Sequence, residues 1–344
     1  PIPYSKFGTG IQVAYDSQND VYYRFFEELE NAIEVLTSYN SRTSEPYLED
    51  YDYIYNGNVG NWIKFANTLR LRLAMRISYV DQTKAETEAK AAIDHSLGLM
   101  TSVSDNAVLK QSVSFSFINE WWEAYESFND FRMSATMDCY LKGLQDPRLA
   151  AYFKVAKKDG EYHGVRNGQT SRSQGTLSEA ASSMNVGQAS SILWMDAAET
   201  YFLLAEAKLR LNLGDKTVKE YYEEGVKTSF SSKGASGAES YLDNDVNVPS
   251  TSFIDPTNGR NTDVSRMVSN LTVKWDESVS DDKKLERIMV QKWIALFPDG
   301  QEAWSEMRRT GYPGIVTIST NASGGEVATG ELISRLKFPT KEYS

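Results

Sequence analysis

One cysteine and two histidines are too few for much of the chemistry that a chain of 344 residues could otherwise host. Cys139 alone cannot close an internal disulfide, and His95 and His163, far apart in sequence, leave few imidazoles for a catalytic zinc site. No apolar run approaches the ~18 residues that a membrane-spanning helix needs. Basic charge is short as well: 36 Lys and Arg stand against 47 Asp and Glu, and the net charge of −11 repels phosphate backbones and argues against a nucleic-acid partner. GxSxG, GxxxxGK[ST] and GxGxxG are all missing, so neither a serine elbow nor a phosphate cradle has a basis in the sequence. The acids around Asp243 and Asp255 miss the calcium-loop pattern, with Val248 where glycine is needed and Arg266 where the closing glutamate is needed; only a looser oxygen site stays open. No cofactor is implied.

Aromatic residues, in contrast, make up 12% of the chain, with 20 Tyr and 7 Trp, more than a helical core requires. Some are therefore expected at the surface as flat contact area, a hint at carbohydrate or peptide ligands. After an extended arm over residues 1–10, Val21, Phe25, Leu29, Ile33 and Leu36 repeat at three and four residues and predict a helix over 16–39. From Asn61, the residues Trp62, Phe65, Leu69, Leu73, Ile77 and Val80 share one helix face with Lys64, Arg70 and Arg72 turned away from it. A second helix over 82–96 completes a hairpin, 61–96. A further hairpin, 191–230, splits at Gly214–Asp215 and places Ala197, Ala198, Ala205 and Ala207 at its contacts, compatible with tetratricopeptide repeats of about 34 residues or with ordinary helix packing. Leu285, Ile288, Met289, Trp293 and Leu296 predict a helix over 281–297, followed after Pro298 by the short helix QEAWSEMRR. Residues 100–118, 157–190 and 232–265 are rich in turn formers. The fold class is all-α, helical hairpins with long irregular loops, which are usually functional or mobile.

Two kinds of candidate site stand out. Paired acids suggest hydrolysis, but a glycosidase needs two carboxyls about 5–10 Å apart across a scissile bond, typically on different elements. Glu302 and Glu306 share one helix face, Glu120 and Glu123 flank two tryptophans, and these pairs are read as solvated; Asp196, Glu199 and Glu206 are read as solvent-exposed or structural. The second candidate is FINEWWEAYESFNDF. Adjacent Trp121 and Trp122 cannot both enter one core stripe of a helix, so one is expected at a boundary or exposed. An exposed Trp or Tyr face can stack on the C–H surface of a sugar ring while Asn, Asp and Arg bind hydroxyls; interhelix packing is the alternative. Tyr162, Arg166 and Asn167 in the following Gly-rich loop are natural polar companions, whereas His163 beside them is read as solvated. The candidate ligand-binding set is Trp121, Trp122, Tyr125, Tyr162, Arg166 and Asn167, with no catalytic or metal-ligating residue.

Five stretches follow in an order that resembles the SusD/RagB family of nutrient-binding lipoproteins of Bacteroidetes: GNWIKFANTLRLRLAMRIS (60–78), DPRLAAYF (146–153), MDAAETYFLLAEAKLRL (195–211), ERIMVQKWIALFPDGQEAWSEMRRTGYPGI (286–315) and RLKFPTKEYS (335–344). The resemblance spans nearly the whole chain and implies one SusD-like domain over 1–344, with tetratricopeptide-like hairpins as scaffold and irregular loops as ligand surface. It also implies an oligosaccharide ligand, or a peptide in some relatives, a SusC-type TonB-dependent outer-membrane barrel as partner, a place at the cell surface, and no catalytic residues. Family members carry a lipoprotein signal, a lipid-bearing cysteine and a further segment before the motif found here at 1–23, so the lipid anchor is expected outside this chain. Against the glycan-binding reading stand a helical-repeat scaffold or peptide-binding protein, and a two-acid glycosidase. Trp293, Phe297 and Trp304 are read as core, so the tract 282–344 marks the family without forming the site.

Overall fold

The computed structural model describes residues 2–43, 45–169 and 172–338, so the last six residues of the closing stretch 335–344 lie outside it. Its helices, in chain order, are α1 (Gln18–Asn40), α2 (Val59–Ile77), α3 (Gln82–Ile93), α4 (Glu120–Trp122), α5 (Ala135–Gly143) and α6 (Arg148–Tyr152). Then come α7 (Gln174–Ala180), α8 (Ala197–Leu211), α9 (Val218–Lys233), α10 (Ala238–Leu242), α11 (Asp281–Leu296) and α12 (Gly300–Thr310). Two antiparallel ribbons, β1 (Ala107–Leu109) with β2 (Ile192–Met195) and β3 (Ser252–Ile254) with β4 (Asn261–Asp263), are the only sheets among the described residues. The fold is thus mostly helical, as expected. The chain forms two compact units, Pro1–Phe115 with Ser191–Ser229, and Ser116–Ser190 with Phe230–Ser344. The expected hairpin 61–96 falls in the first, as does the other as far as Ser229.

In the first unit α2 packs against α1, α3 and α8, and being covered on several sides it buries more than one stripe. Ile63 and Ala66 meet Ile33 of α1, while Trp62, Phe65 and Leu69 pack against Ile54, Tyr55, Met100 and Met195. Trp62, Phe65, Leu69 and Leu73 of the expected apolar face are therefore only half-buried, Ile77 is buried, and Val80 at its end is exposed. Nor do the three cations on α2 simply face water. Lys64 pairs with Asp105 at 2.8 Å, Arg70 with Glu88 at 2.6 Å, and Arg72 grips Glu199 with two guanidinium nitrogens. A charge brought into the interior is tolerable only when paired in this way.

Three further expectations change. The arm expected over 1–10 is not extended in its described residues, 2–10, but folds back, with Asp16 accepting the backbone N–H and hydroxyl of Ser5 and with Ile2 bridged to Asp16. Residues 192–195, expected to be helical, form β2. Helix α8 begins only at Ala197, where Asn106 and Asp196 accept its first free N–H groups, from Ala197 at 2.8 Å and Ala198 at 3.0 Å. Glu199 and Glu206, like Asp196, are buried structural groups, and Glu206 pairs with Arg210 at 3.1 Å.

The second unit is organised around α11, whose Leu285, Ile288, Met289 and Leu296 are buried as the periodicity predicts, while Trp293 is half-buried. Polar residues of the same helix are buried with them. Gln291 accepts from Arg148 at 2.7 Å, Arg148 also binds both oxygens of Asp146, and the guanidinium lies over the rings of Phe230 and Tyr241. Burial alone would pull the Arg148 pKa down, but the Asp146 charge outweighs it and holds the group firmly protonated. Lys292 donates to Glu306 at 2.8 Å, and Arg309 reaches the same carboxylate at 2.7 Å. The solvated reading of Glu302 and Glu306 is thereby corrected: both are buried, because α12 packs back onto α11. Among the described residues no helix is long and apolar enough to cross a membrane.

Candidate functional site

The Trp-Trp segment of the second unit is fixed at its start by Asn119. Its side-chain oxygen accepts the N–H groups of Trp121 and Trp122 at 3.0 and 3.2 Å, and its amide donates to the Ser190 carbonyl at 3.0 Å. Helix α4 then widens into a π-helical turn, Glu123–Ser127, a feature frequent at functional sites. With this spacing Trp121 and Tyr125 reach the same cleft. Arg132 closes the segment, donating to the Tyr125 carbonyl at 3.1 Å and to the Asn129 side chain at 2.8 Å.

Facing them is the end of α11. Trp293 packs on Tyr140 with centroids 5.4 Å apart, Phe297 packs on Phe153 at 5.0 Å, and a cis Phe297–Pro298 bond leads to Asp299. Asp299 caps α12 by accepting the Glu302 N–H at 3.0 Å. Together with Met133, Met137 and Ser134 these residues enclose a cleft of about 210 Å³. That is below the ~300–1,000 Å³ of drug-sized ligand pockets and suits one ring better than a long chain. Phe128 and Phe131 lie exposed beside it, Phe131 against Tyr125 at 5.8 Å.

The polar groups of the cleft are unevenly spent. Tyr125 is only 8% exposed, yet its hydroxyl makes no hydrogen bond among the described residues. Burial pushes that hydroxyl up to about 12. Arg132 makes no ion pair among the described residues, and its buried Nε has no partner. Burial, incompletely offset by Glu126 at a distance, lowers its pKa from the ordinary arginine value. Asp299 is the one carboxylate among the described residues that line the cleft.

Of the six residues proposed from sequence, Trp121 and Tyr125 line this cleft and the other four do not. Tyr125 is buried rather than exposed, and Trp122 is half-buried beside the cleft residues. The Tyr162 carbonyl accepts from Lys142 at 2.9 Å. Arg166 donates to the Thr317 carbonyl at 2.6 Å and the Asn167 carbonyl accepts the Ser319 N–H at 2.7 Å, so that loop fastens the segment after α12. Trp293 and Phe297, read from sequence as core, are half-buried and line the cleft; Arg132, Phe153 and Asp299 were not singled out. Trp293 carried a signal in its helical spacing, but the same spacing describes core. The others come from separate elements that only folding brings together. His163, expected to be solvated, is half-buried with Nε2 2.9 Å from Asp159. The Cys139 thiol is buried and pushed up to about 12, too high for a thiolate nucleophile.

Two larger depressions are chemically poorer. One of about 780 Å³ along residues 323–337 has no aromatic wall. One of about 660 Å³ in the first unit has Tyr201 and Tyr221, but their hydroxyls are spent on the Thr101 carbonyl at 2.9 Å and on Asp215 at 2.7 Å.

Residues 1–344 match the family model described as "SusD-like: Susd and RagB outer membrane lipoprotein". Among solved structures the chain is similar to a chitin-binding SusD homolog from Flavobacterium johnsoniae, with a TM-score of 0.93 and 40% identity, covering 100% of this chain and 70% of that one. It is similar also to a SusD homolog from Bacteroides uniformis (TM-score 0.90, 39% identity, 100% and 71% covered). A SusD homolog from Bacteroides thetaiotaomicron gives 0.90 and 37%, with 100% and 70% covered. Comparison with curated proteins by sequence gave no match.

Proposed function

Because the chain belongs to the SusD-like family of outer-membrane lipoproteins, we propose that it binds an oligosaccharide in the aromatic cleft of its second unit and does so without catalysis. The observation that carries this reading is the convergence of Trp121, Tyr125, Phe153, Trp293 and Phe297 on a ring-sized space with Arg132 and Asp299 at its walls. Flat aromatic faces bury the C–H surface of a sugar, while a few polar groups orient its hydroxyls. The chitin-binding relative from Flavobacterium johnsoniae supports a glycan ligand. A hydrolase is disfavoured because Asp299, already committed to capping α12, has no second carboxylate across the cleft among the described lining residues. In the full reading the protein is lipid-anchored at the cell surface and passes its ligand to a SusC-type TonB-dependent barrel.

Titration calorimetry against a panel of oligosaccharides tests the cleft. Trp121→Ala is expected to weaken binding by at least about tenfold, roughly 1.4 kcal/mol, with the far-ultraviolet circular dichroism unchanged. Unaltered affinity in that variant would remove the cleft as the site. Binding to no glycan, with capture of the barrel retained, would turn the reading to a protein-binding scaffold.

A further inference from the structure

The hydrogen-bonding groups left over in the cleft say what kind of sugar it suits, granted that the cleft binds sugar as proposed above. Arginine guanidinium and indole N–H can only donate, a carboxylate can only accept, and a phenol usually donates first. Tyr125 holds a nine-tenths buried side chain at the cleft with its hydroxyl unpartnered among the described residues. Arg132 spends Nη1 on the Tyr125 and Phe131 carbonyls and one Nη2 hydrogen on Asn129, and its unpartnered Nε–H is enclosed; it brings the other Nη2 hydrogen and a positive charge that no carboxylate contacts among the described residues. The indoles of Trp121 and Trp293 likewise donate no hydrogen bond among the described residues. On the accepting side there is little: one oxygen of Asp299 is taken by the Glu302 N–H, which leaves the other, and the Ser134 hydroxyl already accepts the Met137 N–H at 3.1 Å. The remaining walls, Met133, Met137, Phe153 and Phe297, are apolar.

A cleft with surplus donors and few acceptors is completed best by an occupant that brings a strong acceptor without a competing donor. A ring hydroxyl brings a proton along with its lone pairs. A carbonyl oxygen offers two lone pairs and no proton. We infer that the cleft selects a pyranose bearing a carbonyl oxygen, as an N-acyl or a carboxyl substituent, and that the Tyr125 hydroxyl and the Arg132 guanidinium are the donors that read it. The apolar walls then cover the ring and, in the acyl case, its methyl group. The free Asp299 oxygen is left for a ring hydroxyl or an amide N–H.

Calorimetry with three tetrasaccharides of the same β-1,4 linkage tests this: N-acetylglucosamine, glucuronate and unsubstituted glucose. One or both carbonyl-bearing oligomers are expected to bind at least about tenfold more tightly than the glucose oligomer. Tyr125→Phe removes one hydroxyl and keeps the ring, so the fold stands, and it is expected to reduce that preference by about 3- to 10-fold. The two sources separate by salt: binding of the glucuronate oligomer should weaken as ionic strength rises, and binding of the N-acetyl oligomer should not. Equal binding of all three, or a preference that survives both Tyr125→Phe and Arg132→Gln, overturns the inference and leaves the cleft as a general sugar site. Binding of no oligosaccharide in the wider panel overturns the proposed function itself.

Discussion

Buried charge is the residue-scale feature that constrains the second unit most tightly. Lys292 and Glu306 are almost fully enclosed, and Arg309 shares the carboxylate. Removing one member of such a set strands the others in a medium that solvates them badly, so Glu306→Ala is expected to cost about 3–5 kcal/mol. Chemical denaturation would show it as a lowered midpoint with an unchanged slope; a loss under about 1 kcal/mol would mean that water reaches the pair. The same residues show why residue roles were only partly legible. A glutamate on an amphipathic helix is usually solvated, and nothing local distinguishes Glu306 from such a residue. The cation that buries it is 14 positions away on another helix. Trp121 and Tyr125 could be singled out because aromatic clustering is local, whereas Arg132 and Asp299 acquire meaning only beside Trp293.

At the scale of elements, helices were readable and their surroundings were not. Periodicity located α1, α2, α11 and α12 to within a few residues, because it reflects a face that must be covered. It could not tell how many neighbours would cover α2, nor that residues 192–195 would pair with 107–109 before α8 begins. A strand of four residues carries too little pattern to be told from a helix start. The small residues noted in the second hairpin lie on α8, yet a close approach also involves Gly225 of α9. A side chain at Gly225 would place its first carbon 2.8 Å from the Phe202 ring. Gly225→Val is therefore expected to destabilise the protein by about 1–3 kcal/mol, more than an exposed helical glycine would, and to lower the thermal midpoint. An unchanged midpoint would show that Phe202 yields freely.

For the whole molecule, acidity is the accessible lever. Burial of Asp52 works against its charge, but hydrogen bonds from Tyr55, Trp62, Gly57 and Ile54 outweigh it and lower its pKa; Glu126 and Asp255 are lowered in the same way by their own partners. Burial lowers His95, with Arg70 adding to it. In each case the folded value lies below the unfolded one, so the unfolded state binds more protons as pH falls. The stability these groups contribute is present above the unfolded values, about 6.5 for histidine and about 4 for carboxylates, and is lost through the folded ones. Thermal midpoints should therefore fall gently below about pH 6.5 and steeply below about 4. A midpoint that rose on acidification would contradict those shifts.

Family membership was legible from the order of whole stretches, and the structure explains part of that. Asp146, Arg148 and Gln291 come from two of them and meet as buried partners, and Lys292 and Glu306 pair within one of them. The proposed ligand site draws on the same framework without being spelled out by it, since the tract that marks the family also contributes Trp293, Phe297 and Asp299 to the cleft. A crystal structure of the protein with a bound oligosaccharide tests the central claim most directly. The account predicts a sugar ring in van der Waals contact with Trp121 and Trp293, within hydrogen-bonding reach of Tyr125. A ring bound elsewhere, with that cleft left to solvent, would contradict it.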